Sequence, residues 1–550
     1  MALLIDLFAY LSVIVHGLTI IAQSMALGGV LFLVFLARPF EAALGQAGID
    51  IRRRTRKIAF WSTIGLILAE GATLALQGSV LMGAVDLDLM GVLSADFALY
   101  SLVKIAGAVA LAIMLAGRGD ATPAPLLLTG LVVVLAAATG TTHAAARLES
   151  RLPLMIVEAL HQLGAAIWIG GIPSFIMALA RCHDGIAWRL VGKRFSLMSM
   201  AGVACILVSG VTMSLLYVGA WDGLWGTAYG VMVGTKITMF LILLSLGGMN
   251  FLLVERLRAD PATPVTRLKR FAELEIGIGF TLFFAAASLT SSPPAIDLAT
   301  DRVSWAEIIA RNAPVWPRLT SPSHDDLALP KLQHLLDIEA AEQSKKPLPA
   351  FVEGSGYIPP RNAFDIAWSE YNHHWSGVFV LVIGLLALLN QAGQRWARHW
   401  PLVFLGLAGF LLIRSDPEVW PLGDIGFFDS LYDVEVVQHR FFVLLIVIFA
   451  IFEWRVRAGG LAKTRAALVF PLICTVGGAG LLTHQHAIAN VKDQLLIELT
   501  HTPLALFGMA AGWARWLEIR LDPPGNRIAG WVWPICLMVV GLILLSYREA

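Results

Sequence analysis

Apolar runs of 18 or more residues recur along the whole chain, and short polar connections separate them; alternating patterns of the kind that make half-buried strands do not dominate anywhere. A helix needs about 20 apolar residues to cross roughly 30 Å of hydrocarbon. Within that layer only a helix or a closed barrel satisfies its own backbone. The pattern predicts fourteen helices, near residues 10–36, 58–80, 98–117, 124–144, 154–179, 197–219, 230–253, 272–291, 373–391, 400–413, 436–454, 467–484, 495–514 and 530–547. The expected fold is all-α, a polytopic integral membrane protein. An eight-helix module over 1–295 and a six-helix module over 372–550 flank a Pro-rich and turn-rich segment, 296–371. The first run, "MALLIDLFAYLSVIVHGL", lacks a basic leader and carries Asp6, so it reads as an uncleaved helix rather than a secretory signal.

Composition agrees with the pattern. Hydrophobic residues make up 57% and charged residues 14% of the chain, against roughly 25% charged in soluble domains, and the mean hydropathy is +0.73. The net charge is +1 with basic residues dispersed, which gives no footprint for nucleic acid. Cys182, Cys205, Cys474 and Cys536 are too far apart for a CxxC motif and offer no disulfide framework. No phosphate-binding G-x4-GK[ST] loop occurs, nor the CPC and DKTG signatures of a metal-pumping ATPase, so transport by this chain would be passive or proton-coupled.

Charge changes the picture by setting an orientation. Connections on one side of the expected helices hold 25 basic residues, including "RRRTRK" (52–57) and "RVRAGGLAKTR" (455–465), whereas those on the other side hold six. The positive-inside rule then places both termini outside the cytoplasm.

That orientation gathers nine of the thirteen histidines at one membrane face: His16, His143, His161, His373, His374, His439, His484, His486 and His501. Ionisable groups within membrane helices mark functional sites by default, and imidazole ligates copper, zinc and haem iron when its second nitrogen is held by a partner. Glu158, Glu435 and Glu498 precede His161, His439 and His501 by three or four residues, on the same helix face, and are the expected partners. His484 and His486 are about 200° apart on a helix and converge only if the helix ends there, which "AIANVKD" permits. Lys104 and Lys236 read as salt-linked structural groups beside a pathway. The methionines of the first module read as packing or as a soft shell for Cu(I). The loop 414–440, rich in Asp and Glu, reads as a solvated loop or a cation collector.

The stretch "TTHAAA" (141–146) followed by "EALHQLGAAIWIGGIPSF" (158–175), with its His-x6-Trp-x-Gly-Gly core, resembles the copper resistance protein D family of bacterial inner-membrane proteins. "VGTKITMFLILLSLGGMNF" (233–251) and "KRFAELEIGIGFTLFFAAASLTSSPPA" (269–295) extend the resemblance over most of residues 1–295. It implies copper transfer across the inner membrane, beside a small periplasmic copper carrier. It also implies that His143 and His161 correspond to the family's helix-end histidines. The second module, with "NHHWSG" (372–377), is similar to an extension of longer members and takes no role from the resemblance.

The leading expectation is therefore copper uptake from periplasm to cytoplasm, with His16, His143, His161, His374 and His484 as metal ligands. The rival is a b-type cytochrome: His373, His439, His486 and His501 lie on four helices at similar depth and could hold heme b between two imidazoles. A third reading is a copper-binding scaffold for assembly of another protein. On the opposite face only Cys182, His183 and His399 are available to receive an ion.

Overall fold

The computed structural model describes residues 2–84, 87–117, 122–146, 151–290, 292–298, 302–322, 338, 341, 363–417, 419–461, 464–483 and 491–549. Among these residues the regular structure is helical, apart from one isolated bridge between Val419 and Ile425. Among the described residues thirteen helices are long and apolar enough to cross a membrane. The chain is an all-α, multi-pass membrane protein.

The helix expected at 124–144 is shorter, Ala124–Thr139. Its end is written in "TGTT": the Gly140 N–H turns back to Ala137, and the Thr141 and Thr142 hydroxyls donate to the carbonyls of Ala138 and Thr139. These bonds satisfy the orphan carbonyls of the last turn, and His143 then opens a separate helix. In the second half, the short helix expected at 400–413 begins earlier, because a 3-10 segment over Arg395–Leu402 runs into it.

Two compact units make up the chain, Met1–Arg302 and Val303–Leu482 with His486–Ala550. Unit 1 contains α1 (Ala2–Phe32), α2 (Arg38–Leu44), α3 (Gln46–Ala84), α4 (Leu89–Ser94), α5 (Asp96–Ala116), α6 (Ala124–Thr139) and α7 (His143–Ala146). It continues with α8 (Arg151–Ala165), α9 (Ile172–Leu179), α10 (Gly185–Tyr217), α11 (Ala228–Ala259) and α12 (Thr266–Leu289). Side-chain caps start several of these: Asp88 accepts from Gly91, Asp184 from Ala187 and Thr227 from Gly230. Two π-helical turns, Leu33–Ala37 and Ala166–Gly170, interrupt the α geometry. The second lies against α1, where a Cβ on Gly170 would run into the Ser24 carbonyl and one on Gly28 into the Ala166 carbonyl. Only glycine permits so close a backbone approach. Between α3 and α5, Lys104 and Glu70 form an ion pair of 2.7 Å with both side chains almost wholly buried.

Unit 2 contains α13 (Trp305–Arg311), α14 (Ala363–Gln391), α15 (Val403–Arg414), α16 (Val434–Ala458), α17 (Val469–Thr483), α18 (Val491–Arg520) and α19 (Gly525–Leu545). Its core joins Trp400, Phe470 and Trp533. The Arg457 guanidinium lies 4.6 Å from the Trp400 ring centroid and 5.2 Å from that of Trp533, while Glu453 one turn earlier neutralises it at 2.6 Å. Aromatic faces and a carboxylate together make a buried cation tolerable. At its first residues unit 2 wears a strap: α13 begins with a Ser304–Glu307 capping box, and Arg311 donates to the carbonyls of Arg548 and Glu549. Farther along, Leu319 accepts from the Trp375 indole and Ser321 from Arg414.

Candidate functional site

In unit 1, His161 stands on α8 and its Nδ1 lies 3.0 Å from the Ser209 hydroxyl on α10. The direction of that bond follows from its neighbour. Ser209 Oγ donates to the Cys205 carbonyl at 2.6 Å, so toward the imidazole it must accept. His161 is therefore the Nδ1–H tautomer, and Nε2 carries the lone pair that a metal takes.

Beside it, Gln23 on α1 donates to Gln162 and Gln162 donates to Glu158, each at 2.9 Å. Lys236 on α11 stands close enough to act electrostatically on both His161 and Glu158. Four helices thus contribute polar side chains to one cluster inside an apolar bundle. The cluster can hold a cation near a carboxylate while amides and a hydroxyl replace part of its hydration. The expected Glu158–His161 partnership gives way to Glu158–Gln162 and Ser209–His161. Residues three apart share a face, but here the imidazole turns to a neighbouring helix for its acceptor.

Of the other unit 1 candidates, His16 is half-buried on α1 and engaged in an interaction of its own. His143 opens α7, while its side chain lies outside the described residues. On the Arg-rich face, burial and the neighbouring Asp184 carboxylate push the Cys182 thiol up to about 11, Lys269 opposing only in part, so the soft thiolate ligand is not formed at neutral pH.

In unit 2, His373 donates from Nδ1 to the Ser369 carbonyl at 2.8 Å and His501 from Nδ1 to the Ile497 carbonyl at 3.0 Å. Both imidazoles therefore carry the lone pair on Nε2. Their ring centroids are 6.3 Å apart, and the Tyr547 ring stacks on His373 at 3.9 Å and meets His501 edge-on at 5.8 Å. His374 is used differently. Its Nδ1 accepts the Arg318 N–H at 2.7 Å and its Nε2 donates to the Tyr547 carbonyl at 2.8 Å, so both nitrogens are committed to backbone and neither is offered to a metal as placed.

Tyr547 itself donates to Glu549 at 2.6 Å, and Ser369 donates to the same carboxylate oxygen. Burial, with the adjacent Glu549 charge, raises the phenol far above its ordinary range, so it stays an O–H donor. His439, on α16, pairs its Nδ1 with Asp416 at 2.7 Å. Burial pushes the Asp416 carboxyl up, but the hydrogen bonds from His439 and Ser415 and the nearby Arg440 outweigh it and hold the group below the usual carboxylate range. Glu498 accepts from Thr502 rather than serving His501. His484 and His486 lie outside the described residues, as does the side chain of Glu435.

Among the described residues no group of three or more His, Cys, Asp or Glu side chains is arranged to hold a metal ion. The structure instead brings out isolated oriented imidazoles and one imidazole pair. Sequence reasoning missed Ser209, Asp416 and Tyr547 as partners. The only signal for Asp416 was its place in the acidic loop, and nothing in the spacing marked the other two.

Residues 189–289 match the family model Copper resistance protein D. The matched stretch carries Ser209, Lys236, Asn250 and Glu275 and ends at the close of α12. Over 174 residues the chain is also 32% identical to the "Copper transport protein CutJ" of Bacillus subtilis (strain 168), in an alignment covering 31% of this chain and 30% of that protein. The chain thus aligns with about a third of that relative's length. No solved structure matches.

Proposed function

We propose that unit 1 passes copper across the bacterial inner membrane, with His161 as the ligand inside the bundle. The observation that carries this reading is the His161–Ser209–Cys205 chain, which fixes the tautomer and leaves Nε2 to bind, in a cluster spanning α1, α8, α10 and α11. The name of the Bacillus subtilis relative and the family match over 189–289 supply the metal. A site with few ligands suits an ion in transit, since binding must be weak enough to release.

The 25 to six asymmetry of basic residues favours periplasmic termini, and uptake toward the cytoplasm is the direction proposed for an ion captured at the histidine face. A small periplasmic copper carrier would deliver at the histidine face, with His16 and His143 nearest in sequence to the outer helix ends. The second unit, bounded here at 372–550 for its membrane part, would bind or hold copper through His373 and His501; His439, His484 and His486 stay candidates by sequence.

The test is uptake of copper into proteoliposomes holding the purified full chain, with His161→Ala compared to His399→Ala on the opposite face. Loss in the first and retention in the second are expected; equal uptake in both overturns the proposal. Labelling of a cysteine placed after Lys57 checks the orientation: reagent reaching it from outside intact cells reverses it.

One observation favours a second reading for unit 2. Two imidazoles from different helices can ligate one haem axially, and His373 on α14 and His501 on α18 stand 6.3 Å apart, each with Nδ1 bonded to a carbonyl of its own helix. A Soret band in the purified protein, lost in His373→Ala, would assign haem. Its absence leaves copper.

A further inference from the structure

Glu275 on α12 is buried, 4% exposed, and among the described residues no base forms an ion pair with it. Its Oε2 lies 3.2 Å from the Trp168 indole nitrogen on the π turn, and its Oε1 lies 2.6 Å from the Asn250 side-chain amide on α11. Two carboxyls buried as deeply each have a base close at hand, Lys104 for Glu70 and Arg457 for Glu453, whereas Glu498, 9% exposed, is bonded by Thr502. Charged side chains on the elements packed against α12 are Asp6 and His16 on α1 and Lys236, Glu255, Arg256 and Arg258 on α11; the π turn and α9 carry none. On α12 itself Arg270 is taken by Glu273. None of these groups hydrogen-bonds or ion-pairs with Glu275 among the described residues.

A bare carboxylate in so apolar a place is costly, and the usual escape is to keep its proton. The contact with Asn250 has the length for it. At 2.6 Å it lies within the O–H···O range, and it is also as short as the N–H···O bond between Arg457 and Glu453, so the contact suits the acid as well as the anion. Exchanging the two ends of the Asn250 amide, which are nearly indistinguishable groups, presents its carbonyl oxygen to a Glu275 O–H; in either setting the end turned away from Glu275 is buried without a partner among the described residues. Trp168 donates to the other carboxyl oxygen in either state, so the site accommodates both acid and anion.

We infer that Glu275 is a proton-binding site of unit 1, protonated at neutral pH, whose proton is displaced to solvent when a monovalent cation occupies the His161 cluster. The inference rests on the transport reading for its trigger alone. His161 and Trp168 are seven residues apart on one continuous helical segment, about 10 Å along the axis. A positive charge at that distance in a membrane interior favours the anion. The balance is one cation in and one proton out: the O–H bond of Glu275 breaks heterolytically, the electron pair stays on the carboxylate, and the proton leaves to water. The charge of the bundle is unchanged, which is what makes repeated passage of an ion through hydrocarbon affordable. The π turn makes the arrangement possible. A regular α-helix would aim residues seven apart at one neighbour, yet His161 meets α10 whereas Trp168 meets α12, because the widened turn re-aims the face.

The test uses the full chain with silver(I), a redox-inert stand-in for Cu(I). Infrared spectra at neutral pH should show the C=O stretch of a protonated buried carboxyl that Glu275→Gln removes. No such band, or one unchanged in Glu275→Gln, overturns the inference whatever the fate of transport. In weak buffer, saturating silver should release about one more proton per chain from the wild type than from Glu275→Gln. Glu275→Gln should still bind silver, and His161→Ala should lose both binding and that proton. Equal release from wild type and Glu275→Gln overturns the coupling. If silver binds neither wild type nor variants, the transport reading fails and the infrared band alone decides the proton site. Trp168→Phe, which removes only the indole N–H that bonds Glu275 Oε2, serves where Glu275→Gln does not fold and should shift the band; a band that does not move overturns its assignment to Glu275.

Discussion

The imidazole of unit 1 and the imidazoles of unit 2 are held by different means. His161 is steered by a side chain 48 residues away, on another helix. His373 and His501 are steered by carbonyls one turn back on their own helices, and His374 is locked at both nitrogens by the strap and the segment at 547. A ring held by a neighbouring helix changes its setting whenever the two helices shift. A ring held by its own helix, and stacked on Tyr547 as His373 is, keeps its setting. The first arrangement suits an ion that moves on, and the second suits one that is retained.

The largest expected effect comes from deleting the base of a buried pair. Lys104→Met leaves Glu70 uncompensated and should cost about 3–5 kcal/mol, read as loss of folded protein in detergent; a stable variant would mean that the pair contributes little to unit 1. Next, Ser209→Ala keeps His161 but frees its tautomer, and metal affinity should fall about 10–100-fold by equilibrium dialysis. An unchanged affinity erases the contrast with unit 2, since the ring would then need no neighbour.

His374→Ala should lower unit 2 stability by about 1–3 kcal/mol, because the Arg318 N–H and Tyr547 carbonyl lose their partner, while copper content stays as in the wild type. A proportionate loss of copper would move His374 back among the ligands. Smallest is Asp416→Asn. The carboxyl sits below its usual range in the fold, so its stabilisation is present above about pH 4 and is lost as pH falls through the lowered value. The substitution should remove that acid-side loss, worth ~1 kcal/mol or less for a pair this open. Thermal melts at neutral and acid pH measure it.

Much of the helical layout was legible because membrane spans announce themselves by length and hydropathy, and "TGTT" could have been read as an early stop before His143. The histidines were legible as residue types. Their partners were not. Spacing pointed to Glu158, Glu435 and Glu498, each one turn from a histidine, and the structure shows Ser209 with His161, Asp416 with His439 and the Ile497 carbonyl with His501. Sequence spacing reports which residues share a face, whereas the partner of a buried ring depends on which helix packs against that face. The strap was equally hidden. Residues 303–322 show no strong periodicity, and their docking on unit 2 divides between backbone groups, at Arg318 and Leu319, and scattered polar side chains, at Arg311, Arg318 and Ser321.

The glycine contacts between α1 and the turn at 166–170 constrain how unit 1 can move. With the Gly170 backbone against Ser24 and the Gly28 backbone against Ala166, the two rods have no slack to slide or tilt past each other without collision. They behave as one girder. The same close approach recurs between α8 and α10, where a Cβ on Gly164 would meet the Gly202 carbonyl and one on Gly202 the Gly164 carbonyl, so α10 joins the girder and the register of His161 against Ser209 is held with it.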